Sequence, residues 1–333
     1  MIGMKKRKIK YAFIVAFLCV LTLGLMYFHM VYGHTVYSFD TVIKILLGAD
    51  FEGAFTIRTL RFPRMLAGLF CGFAFGISGN TFQKLLNNSL ASPDIIGVTS
   101  GSSVAAVFGI LILKLSFHSV AILSVSMGIV VATVIYLIAG GNHFNKNKLI
   151  LTGIGMQAFL NALISWMLLK ASQYDVPAAM RWMSGSLNGV KLEDVKVLMI
   201  VVVICTPVLL GLSEHLSILQ LGDAHAITLG LSINLTRLGL ILCALMLSAF
   251  ATCVSGPIAC VAFLSGPIAS RVTKNSGIGH LAAGLVGAIL VLVSDLVGSY
   301  MFLTRYPVGV ITGILGAPYL LVLLMRMNQK GTN

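Results

Sequence analysis

An all-α membrane protein of about ten transmembrane helices is the fold class this sequence predicts, and three observations carry it. Of 333 residues, 58% are apolar and only 10% are Asp, Glu, Lys or Arg, whereas soluble domains carry roughly 25% charged residues. Mean hydropathy is +0.98. The apolar residues also fall in runs of roughly 20, the length a helix needs to cross the hydrocarbon of a bilayer. Helices are the spanning element because each satisfies its own backbone hydrogen bonds in lipid. Scarce charge, 8 prolines and 6 cysteines exclude a disordered chain, a collagen and a disulfide scaffold.

The elements follow in order. Lys5, Lys6, Arg7, Lys8 and Lys10 precede an apolar run over residues 11–32. That run is too long for a signal-peptide core and no small-residue cleavage site follows, so it reads as an uncleaved first span with a cytoplasmic N-terminus. A polar outer segment at 38–60 holds a short helix. Further spans fall near 62–82, 93–113, 118–138, 149–169 and 195–212. A polar insert at 213–236 precedes a seventh span near 238–254. The eighth, near 257–270, is broken by Pro257 and Pro267 within the repeat Ser255-Gly256-Pro257-Ile258-Ala259 and Ser265-Gly266-Pro267-Ile268-Ala269. The last two lie near 281–297 and 307–325. Residues 1–333 form one membrane domain with both termini in the cytoplasm.

Charge supports this orientation. The expected inner segments hold 13 of the 23 Lys and Arg with only Asp94, Glu214 and Asp223, giving net +10 inside against +4 outside. Cytoplasmic loops collect Lys and Arg, so the formal charge of +13 reads as a match to anionic lipid, with no nucleic-acid partner implied. Arg58, Arg61 and Arg64 oppose that bias on the outer side and call for a reason. The six cysteines lie in apolar stretches without CxxC pairs, as buried thiols with no metal or redox role.

Several chemistries are weak or missing. No G-x-x-x-x-G-K-[ST] occurs, so the chain carries no P-loop of its own, and no cofactor or catalytic residue is expected. Gly76-Ile77-Ser78-Gly79 could belong to an intramembrane serine protease only with a histidine at the same depth. The seven histidines fall in loops or near span ends, so close helix packing is the better reading of those small residues. In the polar insert, Asp223 suits the N-cap of a short helix and Gly230 its left-handed end, with Ser232 capping the next helix.

These residues resemble, over nearly the whole chain, the ten-helix permeases of bacterial ABC importers for iron-siderophores, haem and vitamin B12. The matching strings are Arg61-Phe62-Pro63-Arg64, Gln83 with Asn88-Ser89-Leu90-Ala91-Ser92-Pro93, Gly97-Val98-Thr99-Ser100-Gly101 and Leu151-Thr152-Gly153. They continue with Trp182-Met183-Ser184-Gly185-Ser186-Leu187, Leu221-Gly222-Asp223-Ala224 with Leu229-Gly230, and Pro307-Val308-Gly309 with Gly316-Ala317-Pro318. Departures are Ser89 for proline, Ile268 for a polar residue, Ser299 for arginine, and Arg305 where the family has glutamate.

The resemblance implies passage of a ferric siderophore, or alternatively haem or cobalamin, through a permease paired with an identical or related second permease subunit. Two ATP-binding cassette ATPase subunits would grip the coupling helix formed by Leu221, Gly222, Asp223, Ala224, Leu229 and Gly230. An extracytoplasmic substrate-binding protein or lipoprotein would dock on Arg61 and Arg64, with Arg305 replacing a charge missing at Ser299. Asn145, Lys146, Asn147 and Lys148 occupy the position of the family's cytoplasmic gate. The competing class, an ion-coupled secondary transporter, would need ionisable residues at the midplane. Only Asp295 lies in a span, near its outer end, and it reads as a structural carboxylate.

Overall fold

The computed structural model describes residues 2–49, 51–139, 145–274 and 277–331. Among these the chain is helical, with no strand. The helices are α1 (Ile2–Val31), α2 (Phe39–Leu46), α3 (Phe62–Leu86), α4 (Val98–Leu111), α5 (Phe117–Ile138), α6 (Lys146–Lys170), α7 (Val176–Met183) and α8 (Leu192–Gly211). They continue with α9 (Ser213–Leu219), α10 (Asp223–Thr228), α11 (Ile233–Ser255), α12 (Val261–Val272), α13 (His280–Tyr300) and α14 (Val308–Gly331). Seven helical segments among the described residues are long and apolar enough to cross a membrane, and three shorter apolar helices, Val98–Leu111, Val261–Val272 and Val308–Val322, fall at the three remaining expected spans.

The bundle is built around α3. Its small residues admit neighbouring backbones: a Cβ added at Gly72 would collide with the Gly287 carbonyl oxygen, at Gly76 with that of Ala283, and at Gly79 with that of Ala262. Close backbone approach of this kind drives helix association in lipid, where apolar burial from water contributes nothing. Ser78, between two of these glycines, donates to the Ala244 carbonyl at 2.6 Å. Its hydroxyl therefore ties α3 to α11 and has no histidine partner. At the periphery, Phe13, Phe17 and Val20 of α1 are each more than half exposed, as side chains facing lipid would be.

Three boundaries differ from expectation, each for a local reason. The outer segment holds α2, with Ser38 capping through the Thr41 amide, and also a π-helical turn over Thr56–Arg61 that runs directly into α3. The third span starts as a 3-10 turn, Pro93–Ile96, and turns helical only after Gly97 at φ +72°. The break in the eighth span precedes its helix. Gly256 (φ +71°) and Cys260 (φ +66°) turn the chain around Pro257, whereas Pro267 lies inside α12. Two histidines expected near span ends do sit there but are buried: His29 at 7% and His280 at 2% exposure.

Candidate functional sites at the two ends of the bundle

Helix α3 runs from Arg64 at one end to Asn87 at the other, roughly 35 Å away at 1.5 Å per residue. The residues singled out in the sequence collect at these two ends.

At the first end, Asp295 on α13 is 2% exposed and receives two parallel hydrogen bonds from Arg64, each of 2.8 Å. Arg64 also donates to Ser299 Oγ at 2.7 Å, the position where the resembling permeases carry an arginine. His29 of α1 stands 3.8 Å from Asp295 and contacts the Leu292 carbonyl at 3.1 Å. Three helices are thus joined around one buried carboxylate. A fork-shaped pair of this geometry compensates the desolvation of both charges, and removing one partner strands the other. Arg61 donates to the carbonyls of Met30, Val31 and Thr35, closing the end of α1, and its guanidinium lies 5.0 Å from the centre of the Tyr37 ring. Arg58 does the same for α2, donating to Ile45 and Ala49. The three arginines expected on the outer side are therefore engaged with the chain's own backbone and carboxylate. Arg305, in the turn before α14, is exposed.

Three of the sequence motifs interlock toward this same end. Ser186 N donates to the Ser255 carbonyl and Gly309 N to the Gly185 carbonyl. A side chain at Gly185 would strike the Pro257 carbonyl, at Gly256 that of Trp182, and at Gly309 that of Ser184. The end of α7, the broken segment and the start of α14 form one knot, so these glycines serve backbone contact.

At the other end lies the short-helix segment. Asp223 was expected to cap α10; Gly222 (φ +104°) holds the N-cap position instead, with no side-chain cap. Asp223 pairs with Arg237 of α11 at 2.9 Å, because a capping geometry would turn its carboxylate away from that buried guanidinium. Ser232 likewise makes no side-chain cap for α11. Gly230 does adopt the left-handed conformation, at φ +76°. Ala226 is buried, whereas Leu221, Ile227 and Leu229 are 64%, 66% and 63% exposed. Ile227 and Arg237 escaped the sequence reading. Arg237 had registered only as one inner charge, and Ile227 shows no pattern until the helix presents it beside Leu221 and Leu229. Ala224 is exposed.

Asn145 caps α6, accepting from the amides of Asn147 and Lys148 at 3.0 and 3.2 Å, and all three are exposed. The Lys146 side chain lies outside the described residues. All six cysteines are free thiols, and no group of three or more His, Cys, Asp and Glu among the described residues is placed to hold a metal.

A bundle of long apolar helices knotted at one end, with an exposed apolar helical segment braced at the other, defines a polytopic membrane transport protein. The chain belongs to the FecCD transport family, whose profile matches residues 19–326. It is 35% identical over 303 residues to the ferric enterobactin transport system permease protein FepG of Escherichia coli K12, covering 90% of this chain and 91% of that one. It is 34% identical to the Fe(3+)-citrate import system permease protein YfmE of Bacillus subtilis 168, covering 96% and 94%. A cobalamin import permease, BtuC of Halobacterium salinarum, is 31% identical over 80% of this chain and 73% of its own length. The fold matches a solved inward-facing conformation of a metal-chelate type ABC transporter, with TM-score 0.82, 24% identity and coverage of 95% of this chain and 99% of that one. The chain is accordingly a multi-pass permease of the ABC-importer type.

Proposed function

We propose that this chain is the permease through which a ferric siderophore enters across the cytoplasmic membrane. The observation that carries the reading is the exposed apolar segment at Leu221, Ile227 and Leu229, fastened to the bundle by the Asp223–Arg237 pair. Such a patch at the aqueous end of a membrane bundle calls for a soluble partner, and an ATPase subunit on each of two paired permeases fits it. Leu221, Gly222, Asp223, Ala224, Leu229 and Gly230 then form the coupling contact, on the cytoplasmic side together with both termini. ATP-driven movement of the ATPases would pass through Arg237 into α11 and from there to α3.

The opposite end meets the extracytoplasmic delivery protein or lipoprotein at Arg61, Arg64 and Arg305. Of these, Arg305 is free to face a partner carboxylate, while Arg61 and Arg64 present only the edges that their intrachain bonds leave open. Asn145, Lys146, Asn147 and Lys148 form the cytoplasmic gate at the start of α6. The names of FepG and YfmE support an iron chelate as cargo.

The test is uptake by proteoliposomes holding the permease, its ATPase and its delivery protein, offered ferric catecholate, citrate and hydroxamate chelates, haem and cobalamin. ATP-dependent accumulation of one ferric chelate is expected. Accumulation of haem or cobalamin alone would reassign the cargo, and accumulation without the ATPase would remove the importer class.

A further inference from the structure

A cavity of about 320 Å³ lies where α3 ends, lined by Gln83, Lys84, Asn88, Gln220 and Ser270 among others. Its walls are fixed. Gln83 donates to the Phe263 carbonyl at 2.8 Å, Gln220 donates to the Lys84 carbonyl at 3.3 Å, and Asn87 donates to the Gln220 carbonyl at 3.5 Å. The end of α3 is thereby bonded to the residue just ahead of the coupling segment.

Among the described residues that line the cavity, Lys84 alone carries a charge, with neutral amide and hydroxyl groups around it. Lys84 is half-buried, and among the described residues its ammonium has neither an acceptor nor a carboxylate partner. Asn88 uses its Oδ1 to accept from Leu90 N, which leaves its amide hydrogens open, and Ser270 adds a hydroxyl. No acidic side chain lines the cavity among the described residues. A partly desolvated ammonium with no counter-charge is costly, and an anion completes such a site.

The direction of access selects the occupant. Helix α3 is packed by α8, α11, α12 and α13, and the cavity lies at its end, where Gln220 joins it to the coupling segment. The exposed rim residue, Asn87, lies past the helix end beside Gln220. We propose that this cavity receives a carboxylate side chain of the ATPase subunit, held by Lys84, Asn88 and Ser270, as an anchor separate from the coupling helix. The inference rests on the permease reading above. It gives the ATPase a direct hold on α3, the helix whose other end carries Arg64.

Zero-length carbodiimide coupling of the assembled permease–ATPase complex, followed by mass spectrometry of peptides, reads the contact. Lys84 should be joined by an amide bond to an Asp or Glu of the ATPase. Lys84→Gln and Lys84→Glu should lower ATPase retention during salt washing about tenfold or more, with Lys84→Arg close to the parent. Binding of the delivery protein, at the far end, should stay unchanged and reports that the variants fold. Equal retention by Lys84→Glu, or coupling of Lys84 only to a permease acid, overturns the anchor. So does loss of ATPase retention in inorganic phosphate but not in chloride of equal ionic strength while Lys84 stays uncoupled, which makes the cavity a small-anion site. A parent chain that retains no ATPase at all overturns the permease reading itself.

Discussion

The two ends of α3 solve opposite problems with the same residue types. At the Arg64 end, charges are turned inward: one buried carboxylate is shared by Arg64 and His29, and backbone carbonyls are closed by Arg58 and Arg61. At the Asp223 end, the ion pair is half open, with side-chain exposure of 5% for Arg237 and 55% for Asp223, and apolar side chains are left uncovered. The first arrangement fixes helices relative to one another. The second leaves a short helical segment tied to its neighbours by a few polar bonds, with its apolar side chains uncovered. A charge in this protein therefore reports its role through its partner, and its side of the membrane says little about it.

The contrast can be broken most severely in the shared core. Gly79→Leu should yield no folded protein, since even the first carbon of a side chain collides with the α12 backbone at Ala262; detergent extraction followed by size-exclusion chromatography reads this. Next comes Arg64→Ala, which leaves Asp295 buried with only the 3.8 Å His29 contact and should cost about 3–5 kcal/mol, the usual penalty for breaking a buried ion pair. Thermal unfolding in detergent should show the loss, and Arg64→Met with Asp295→Leu should recover much of it. An arginine serving only to dock a partner would leave unfolding unmoved.

At the opposite end, stability should barely respond while coupling fails. Leu221→Asp with Leu229→Asp is expected to leave abundance and unfolding near the parent and abolish delivery-protein-stimulated ATP hydrolysis. Gly230→Val should also abolish that stimulation, through strain that loosens the segment locally, because a β-branched residue at φ +76° costs about 1–2 kcal/mol. The smallest effect belongs to Arg305→Glu. As an exposed rim charge it should slow association of the delivery protein and flatten its salt dependence, with little change in stability.

Much of the architecture was legible because lipid imposes a one-dimensional rule. The apolar spans, the small-residue face of α3 and the left-handed Gly230 each follow from local chemistry: run length, residue size and backbone freedom. The position of the short helices at 213–236 was legible for the same reason. Their inner workings were not. Asp223 has the composition of a cap, yet a guanidinium 14 residues away outcompetes the backbone amides for it.

The arginines at the Arg64 end show the same division more sharply. Composition and spacing alone place three cations within seven residues and one carboxylate within a span. That Arg64 and Asp295, 231 residues apart, belong to each other emerges only from the packing of the helices. Periodicity and composition act between near neighbours, whereas an ion pair depends on which helices lie side by side. That adjacency is settled by where glycines let backbones touch, so Gly72 and Gly76 of α3, by admitting α13, are what bring Asp295 to Arg64.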